Sequence, residues 1–273
     1  MTRHWVLASL AAAVLGAALA APGFVAAQTV LITGANSGLG LEFVKQYAAK
    51  GWTVIATHRR SEMPASLAAV TAEHPRVRVE RMDVADIASV HDLARKLAGV
   101  PIDVLINNAG VYSDRSGCAD ETCRGEGRTQ SFGNMDYALF DTIMAVNVRG
   151  PLVVSEAFIE NVRASQQKKI IAIGSTSGSL TDPLEGSRAI SYRTSKAALN
   201  RAMQLVAVHE KDEGVTVVIL HPGSVLTERQ ADFTLAGMIE MEPSVSGMIE
   251  QIEKITIADT GRFIQYDGAT APW

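Results

Sequence analysis

Hydrophobic and polar positions along this chain switch repeatedly between a period near two and a period near 3.6. Val30-Leu31-Ile32 is a short apolar run ending in a glycine-rich turn, and from Leu39 to Ala49 apolar residues recur at helical spacing. The same alternation predicts further strands at Thr53–Thr57, Val77–Met82, Ile102–Ile106, Lys169–Ile173, Val215–Leu220 and Phe263–Tyr266. Between them it predicts helices at Asp86–Leu97, Tyr137–Val162, Ile190–His209 and Val245–Ile255. Strands separated by helices need crossover connections, so the pattern implies an α/β fold. It is a single doubly wound parallel sheet with helices on both faces, three layers in all. No internal repeat or Pro/Gly-rich linker interrupts it, and residues 28–273 read as one domain.

Composition narrows the possibilities. Of the 273 residues, 47% are hydrophobic and 20% charged, which excludes disorder as the main state. The 25 basic residues face 29 acidic ones, a balance that argues against a nucleic-acid partner. Two cysteines, Cys118 and Cys123, are too few for a disulfide scaffold. The first 27 residues differ from the rest: Arg3 and His4 precede an apolar run from Trp5 to Ala21, and small-residue sites follow at Ala18-Leu19-Ala20 and Val25-Ala26-Ala27. These are the parts of a secretory signal peptide, which implies a periplasmic or secreted protein. An uncleaved membrane anchor through residues 5–21, or a misassigned start ahead of a cytoplasmic enzyme, fits the same residues. Arg3-His4 is not a twin arginine, so that export route is not supported.

The turn after the first predicted strand is Thr33-Gly34-Ala35-Asn36-Ser37-Gly38-Leu39-Gly40. Gly34 permits a tight turn, Gly38 lets backbone approach a phosphate, and Gly40 allows close helix packing. The following helix then points free N–H groups and its positive dipole end at a pyrophosphate. A glycine triplet alone is weak evidence, but its place between strand and helix makes the fold Rossmann-like. The spacing is G-x3-G-x-G rather than G-x-G-x-x-G. After the second strand stands Thr57-His58-Arg59-Arg60, with no acidic residue to hold a ribose hydroxyl pair and two arginines available for a 2′-phosphate. That favours NADP(H) over NAD(H), against the plainer reading of a solvated basic turn. Asp83-Val84, at the end of the third strand, would lie beside the adenine; alone, Asp83 is also an ordinary turn cap.

Tyr192 and Lys196 are four residues apart on one helical face. A tyrosine with pKa near 10 is a poor acid–base group at neutral pH, and an ammonium beside it favours the phenolate. At about 4 Å and an effective dielectric near 20 the attraction is about 4 kcal/mol, before the lysine's own desolvation is subtracted. Such pairs are common on ordinary helices. Here, however, Ile170 to Gly174 ends in Ser175-Thr176-Ser177-Gly178, which presents hydroxyls at the carboxyl edge of the sheet where open α/β sheets bind ligands. Ser175 there is placed to hydrogen-bond a substrate oxygen in the transition state.

Taken in order, Thr33-Gly34…Gly38-x-Gly40, Asp83, Asn107-Asn108-Ala109-Gly110, Asn147, Ser175, Tyr192-x3-Lys196, His221-Pro222-Gly223 and Thr227 resemble the short-chain dehydrogenase/reductase family, over essentially all of residues 29 to 273. Within it the chain looks most like the C-factor/Sniffer-type carbonyl reductases, through Tyr192-Arg193-x-Ser195-Lys196-Ala197-Ala198-Leu199-Asn200, Leu220-His221-Pro222-Gly223 and the ending Gly261-Arg262-Phe263…Tyr266-Asp267-Gly268…Pro272-Trp273. The resemblance implies carbonyl reduction, or the reverse, with Tyr192 as general acid. Lys196 would hold the nicotinamide ribose and lower the tyrosine pKa, Ser175 would polarise the carbonyl, and Asn147 would hold a water linking Lys196 to solvent. Asn36, Ser37 and Leu39 would line the cofactor with the three glycines. Asn107, Ala109 and Gly110 would contact its ribose, and Pro222, Gly223, Val225 and Thr227 would flank the carboxamide. The family often forms dimers or tetramers through two long helices, here Tyr137–Val162 and Ile190–His209.

Three features depart from the pattern. The span from Ser175 to Tyr192 is long for the wider family, and the extra loop Leu180 to Ala189 should line the substrate mouth. Ser113 to Gly133 reads as an insertion carrying both cysteines, which form either a small disulfide loop or two free thiols; no zinc ligands accompany them. The leader sits badly with a cytoplasmic cofactor. It keeps open an exported, signalling role in which the dinucleotide fold serves recognition. The resemblance implies a small-molecule carbonyl or alcohol substrate, whose identity the sequence does not give. Phe233, Leu235, Met238, Ile239 and Met241 suggest an apolar lid over it, or equally a helix packing on the core.

Overall fold

The computed structural model describes residues 27–112, 130–182, 189–226 and 237–273. Its strands are Thr29–Ile32 (β1), Thr53–His58 (β2), Val77–Arg81 (β3), Val104–Asn107 (β4), Gln130–Ser131 (β5), Asn134–Met135 (β6), Lys169–Ile173 (β7), Thr216–His221 (β8) and Phe263–Gln265 (β9). Among the described residues seven of these form one parallel sheet in the order β3-β2-β1-β4-β7-β8-β9, while β5 and β6 pair apart as a short antiparallel hairpin. The central strands β1, β4, β7 and β8 are apolar on both faces, as burial between two helical layers requires, whereas the edge strand β3 exposes Arg78 and Arg81. Val30, Ile32, Ile171, Ile173, Val218 and Leu220 join one core. Their neighbours Leu31, Ile170, Ala172, Val217 and Ile219 join the other.

One helical layer holds Gly38–Ala49 (α1), Ala65–Glu73 (α2) and, late in the chain, Met241–Lys254 (α8). The opposite layer holds Ile87–Lys96 (α3), Tyr137–Met144 (α4), Gly150–Ala157 (α5), Ile159–Arg163 (α6) and Ile190–Glu210 (α7). The predicted doubly wound sheet is therefore present, and most predicted elements agree with the structure within two residues. Three do not. The run predicted as one helix over Tyr137–Val162 is broken: a π turn at Ala145–Arg149 separates α4 from α5, and the backbone leaves helical geometry at Phe158 before α6. Helix α2 has no counterpart in the prediction, because its Ala-rich sequence buries only Leu67 and Val70 and carries little apolar periodicity. Helix α8 begins four residues before the predicted Val245, at Met241.

The chain runs outward from β1 through β2 to β3, then crosses to β4 on the other side of β1. That reversal opens a crevice at the carboxyl ends of β1 and β4. Thr33, Asn107–Gly110, Ser175 and His221 all follow or end strands at this same edge.

Candidate active site

The glycine turn is shaped by atoms that are missing. A Cβ on Gly34 would stand 2.8 Å from Ala109 Cα, and one on Gly40 would stand 2.3 Å from the Gly34 carbonyl oxygen. Both are closer than side-chain carbons approach other atoms, so turn, α1 and the segment after β4 meet only because those positions are glycine. Thr33 and Asn108 stitch the contact: Thr33 Oγ1 accepts from the Asn108 and Ala109 N–H groups at 3.0 Å each, and Asn108 Nδ2 donates to the carbonyls of Thr33 at 2.8 Å and Gly34 at 3.2 Å. Asn107, directly before, is buried and donates to Ser155 Oγ at 3.0 Å, so its role is to join β4 to α5. Gly38, at φ +55°, faces open space, and Ser37 at the start of α1 leaves the first N–H groups without a side-chain cap. Asn36 is fixed by Ser66 Oγ, which donates to its carbonyl at 2.8 Å. This cradle fits a pyrophosphate.

Around it lie the other predicted cofactor residues. Arg59 and Arg60 are exposed at the end of β2, while His58 beside them is buried. Burial, and then the positive charges of Arg60 and Arg81, hold the His58 pKa below the usual histidine range. Asp83 accepts from Ala85 N–H at 3.0 Å, the turn-capping bond its sequence allows, and Val84 packs where Gly150 starts α5. Pro222 is tied by Ser244 Oγ, which donates to its carbonyl at 2.6 Å. Gly223 (φ +83°) turns the chain so that Val225 can bridge to Ile239. Thr227, Cys118, Cys123, Phe233, Leu235 and the leader lie outside the described residues. Met241, grouped with a lid in the sequence reading, opens α8.

The second cluster is polar and mostly buried, with Tyr192 partly exposed at its mouth. Lys196 Nζ donates to the Ile173 carbonyl at 2.8 Å and lies 5.7 Å from the centre of the Tyr192 ring. Burial pushes the Lys196 ammonium down to about 8. Burial likewise pushes the Tyr192 phenol up to about 12, against a hydrogen bond with Ser175 that pulls it down. The expected lowering of the tyrosine by Lys196 is not seen in the free protein: desolvation acts on both groups and disfavours both charges, and the hydrogen bond with Ser175 is what pulls the phenol down. Ser175 also caps the short turn after β7, accepting from Ser177 N–H at 3.1 Å. Asn147 sits in the π turn with its side chain fully engaged. It accepts from Val111 N–H at 2.8 Å and donates to the Val111 carbonyl at 2.8 Å and Ser195 Oγ at 3.0 Å. Single-turn π bulges often mark functional positions in helices.

Several residues in this corner carry no motif. Tyr112 packs edge-on against Tyr192 with ring centres 4.7 Å apart, and Gln130, wholly buried, bonds to the backbone of both. His221 Nε2 lies 3.3 Å from Thr176 Oγ1, and burial, with the Lys196 charge, lowers its pKa to about 4. Only the nearness of His221 to Pro222-Gly223 gave any signal; Gln130 lies within the insertion and Tyr112 directly before it, and neither can be found from spacing. Among the described residues no group of acidic, His or Cys side chains could hold a metal.

Comparison with known proteins agrees with this geometry. A C-signal protein of Myxococcus xanthus is 35% identical over 174 residues, 63% of this chain and 93% of that protein. A 1-hydroxy-2-glutathionyl-2-methyl-3-butene dehydrogenase of Rhodococcus sp. (strain AD45) is 32% identical over 248 residues, 90% of this chain and 99% of that one. The crystal structure of NADPH-bound carbonyl reductase from chicken fatty liver matches with a TM-score of 0.79 at 29% identity, covering 90% of this chain and 99% of that one. Residues 28–236 match the family model for short chain dehydrogenases. The chain belongs to the short-chain dehydrogenase/reductase family and is an NAD(P)-dependent oxidoreductase.

Proposed function

We propose that this protein is an NADP(H)-dependent reductase of a small, apolar carbonyl compound, or a dehydrogenase of the matching alcohol, with Tyr192 as the proton donor or acceptor. The observation that carries the reading is the meeting, at one sheet edge, of a pyrophosphate-shaped cradle with Tyr192, itself partly exposed, and its buried partners Ser175 and Lys196. When bound, the reduced nicotinamide supplies the hydride. Ser175 and Tyr192 then hold the substrate oxygen between them, and Tyr192 gives it the proton as negative charge develops there. Lys196, held at Ile173, keeps a cation behind the ring that favours the phenolate left afterwards. Asn147 fixes Val111 and Ser195 at the base of this arrangement.

Exposed Arg59 at the end of β2 suits a 2′-phosphate, and the NADPH-bound neighbour supports that choice. The test is titration of the purified protein with NADPH and NADH, before and after Arg59→Ala. Tight NADPH binding that weakens about tenfold in the variant, with NADH unchanged, supports it. Equal binding of both cofactors by the wild type rejects it. Tyr137, Leu205 and Val208 are exposed on α4 and α7 and suit the expected dimer or tetramer; sedimentation of a monomer at micromolar concentration rejects that.

The similarity to C-signal favours a second reading, in which an exported or membrane-held protein uses its dinucleotide fold for recognition. Biological activity that survives Tyr192→Phe supports this second reading, and loss of that activity supports the enzyme.

A further inference from the structure

Helix α7, which carries Tyr192 and Lys196, begins without a cap of its own. Its N-cap position is Ala189, held in the left-handed region at φ +57° with no side-chain oxygen to offer. The first-turn N–H groups of a helix have no acceptors within it, so they must find them elsewhere. For Tyr192 N–H the acceptor is Gln130 Oε1, at 3.0 Å and 62 residues earlier in the chain. The other end of the same amide, Nε2, donates to the Tyr112 carbonyl at 2.7 Å. Gln130 is completely buried, and the two residues it joins have touching rings. From the other side, Asn147 grips Val111 through both its N–H and its carbonyl and donates to Ser195 Oγ, which in turn donates to the Tyr192 carbonyl at 2.7 Å. Two buried amides thus hold Val111-Tyr112 against the first turn of α7.

We infer that Gln130 is a positioning residue for Tyr192, acting as the remote N-cap of α7 while it locks the Tyr112 ring against the Tyr192 ring. Gln130 lies within the predicted insertion Ser113–Gly133, and its bond ties that part of the insertion to Tyr112, the residue directly before it. One residue of the insertion is thereby assigned a purpose in the reaction: Gln130 sets the acid. Chemistry explains the residue type. The site asks for one acceptor facing Tyr192 N–H and one donor facing the Tyr112 carbonyl, and a primary amide supplies both. A carboxylate at the same place supplies only the acceptor and sets its charge against a carbonyl oxygen. Protonated, it reproduces both bonds.

The inference rests on Tyr192 being the proton donor, and its test separates the two claims. Wild type, Tyr192→Phe, Gln130→Ala and Gln130→Glu are compared for NADPH-dependent reduction of phenanthrenequinone, an activated diketone, from pH 5 to 9. Expected for Gln130→Ala is a fall in kcat of roughly 10- to 100-fold with the NADPH dissociation constant within about twofold, since a small misplacement of the donor reduces chemistry more than binding. Expected for Gln130→Glu is an equal fall at pH 9 that recovers towards wild type as the pH drops, a limb absent from the other three proteins. A second measurement does not depend on turnover. In protein labelled with 13Cζ-tyrosine, the Tyr192 signal, assigned by its loss in Tyr192→Phe, moves in Gln130→Ala and returns to its wild-type position in Gln130→Glu at low pH. Wild-type kcat and pH profile in both Gln130 variants, or a Tyr192 signal unmoved in both, overturns the positioning role. Turnover that survives Tyr192→Phe, or is absent in the wild type, overturns the proton-donor reading instead, and the tyrosine signal then decides on Gln130 alone.

Discussion

The two ends of the crevice are built by opposite means. At the cofactor end, position comes from atoms left out: Gly34 and Gly40 allow backbone contacts that any Cβ would block, and the bonds that fix them run between the residues directly after β1 and those directly after β4. At the proton-transfer end, position comes from polar groups put in. Lys196, Asn147, Ser175 and Gln130 are all buried, drawn from separate elements, and each is held by bonds to main chain. A defect at the first end should act through sterics and cofactor binding. At the second it should act through protonation and rate, and each consequence can be measured separately.

The sharpest separation is expected from Tyr192→Phe. Removing a general acid lowers kcat by roughly 100- to 10,000-fold, while the cradle it does not touch keeps its NADPH affinity. Stopped-flow reduction and fluorescence titration of the same preparation would show the split. A parallel loss of NADPH binding would break the comparison, because the two ends would then be one mechanical unit.

Next in size is the pH dependence that Lys196 gives to stability. Its ordinary pKa of 10.5 falls to about 8 on burial in the free protein. Between those values the unfolded chain binds a proton that the folded one does not, so stability rises with pH across the window. Completed, the effect is on the order of 3 kcal/mol. Urea unfolding at pH 7.5 and pH 10 should show the wild type gaining stability relative to Lys196→Met, whose curve lacks this contribution. A difference between the two proteins that does not change with pH would mean that the ammonium is not held dry.

Gly40→Ala probes the other end. With the Gly34 oxygen 2.3 Å and Asn108 Nδ2 2.5 Å from the new Cβ, the turn must open, an overpacking that costs about 1–3 kcal/mol. NADPH affinity should fall by about tenfold or more, whereas the pH-dependent contribution of Lys196 should not change.

The same contrast explains what the sequence revealed. The cradle occupies consecutive residues 33–40, and glycine spacing after an apolar run is a local signal, so it was legible without any structure. Parallel strands were legible for the same reason: Ile170–Ile173 and Val217–Leu220 are apolar at every position, which only burial on both faces requires. In the proton-transfer corner Tyr192 and Lys196 were legible from one helix face and Ser175 from the end of an apolar strand, while Asn147 came only with the family resemblance. Gln130 and Tyr112 enter from a region whose sequence looks like any polar insertion, and no periodicity connects residue 130 to residue 192. The break in the Tyr137–Val162 helix was hidden too. Ala145-Val146-Asn147-Val148 keeps its apolar character through the π turn, so the pattern continues where the hydrogen bonding does not.

The smallest expected effect lies where the cradle borrows the other end's method. Thr33 Oγ1 is a buried hydroxyl that accepts from two backbone N–H groups, those of Asn108 and Ala109, and so does by hydrogen bonding what Gly34 and Gly40 do by absence. Thr33→Val keeps the branched shape and removes the acceptor. Leaving partly buried donors unpaired costs about 1–2 kcal/mol, roughly 3–6 °C in the melting temperature of a domain this size. Thr33→Ser keeps the hydroxyl and should retain most of that stability, with any residual loss due to the missing methyl. If valine proves as stable as threonine, the segment after β4 is held by the glycine contacts and Asn108 alone, and the cradle is steric throughout. If serine falls as far as valine, the hydroxyl needs its methyl to aim it, and packing and polarity act here through one side chain.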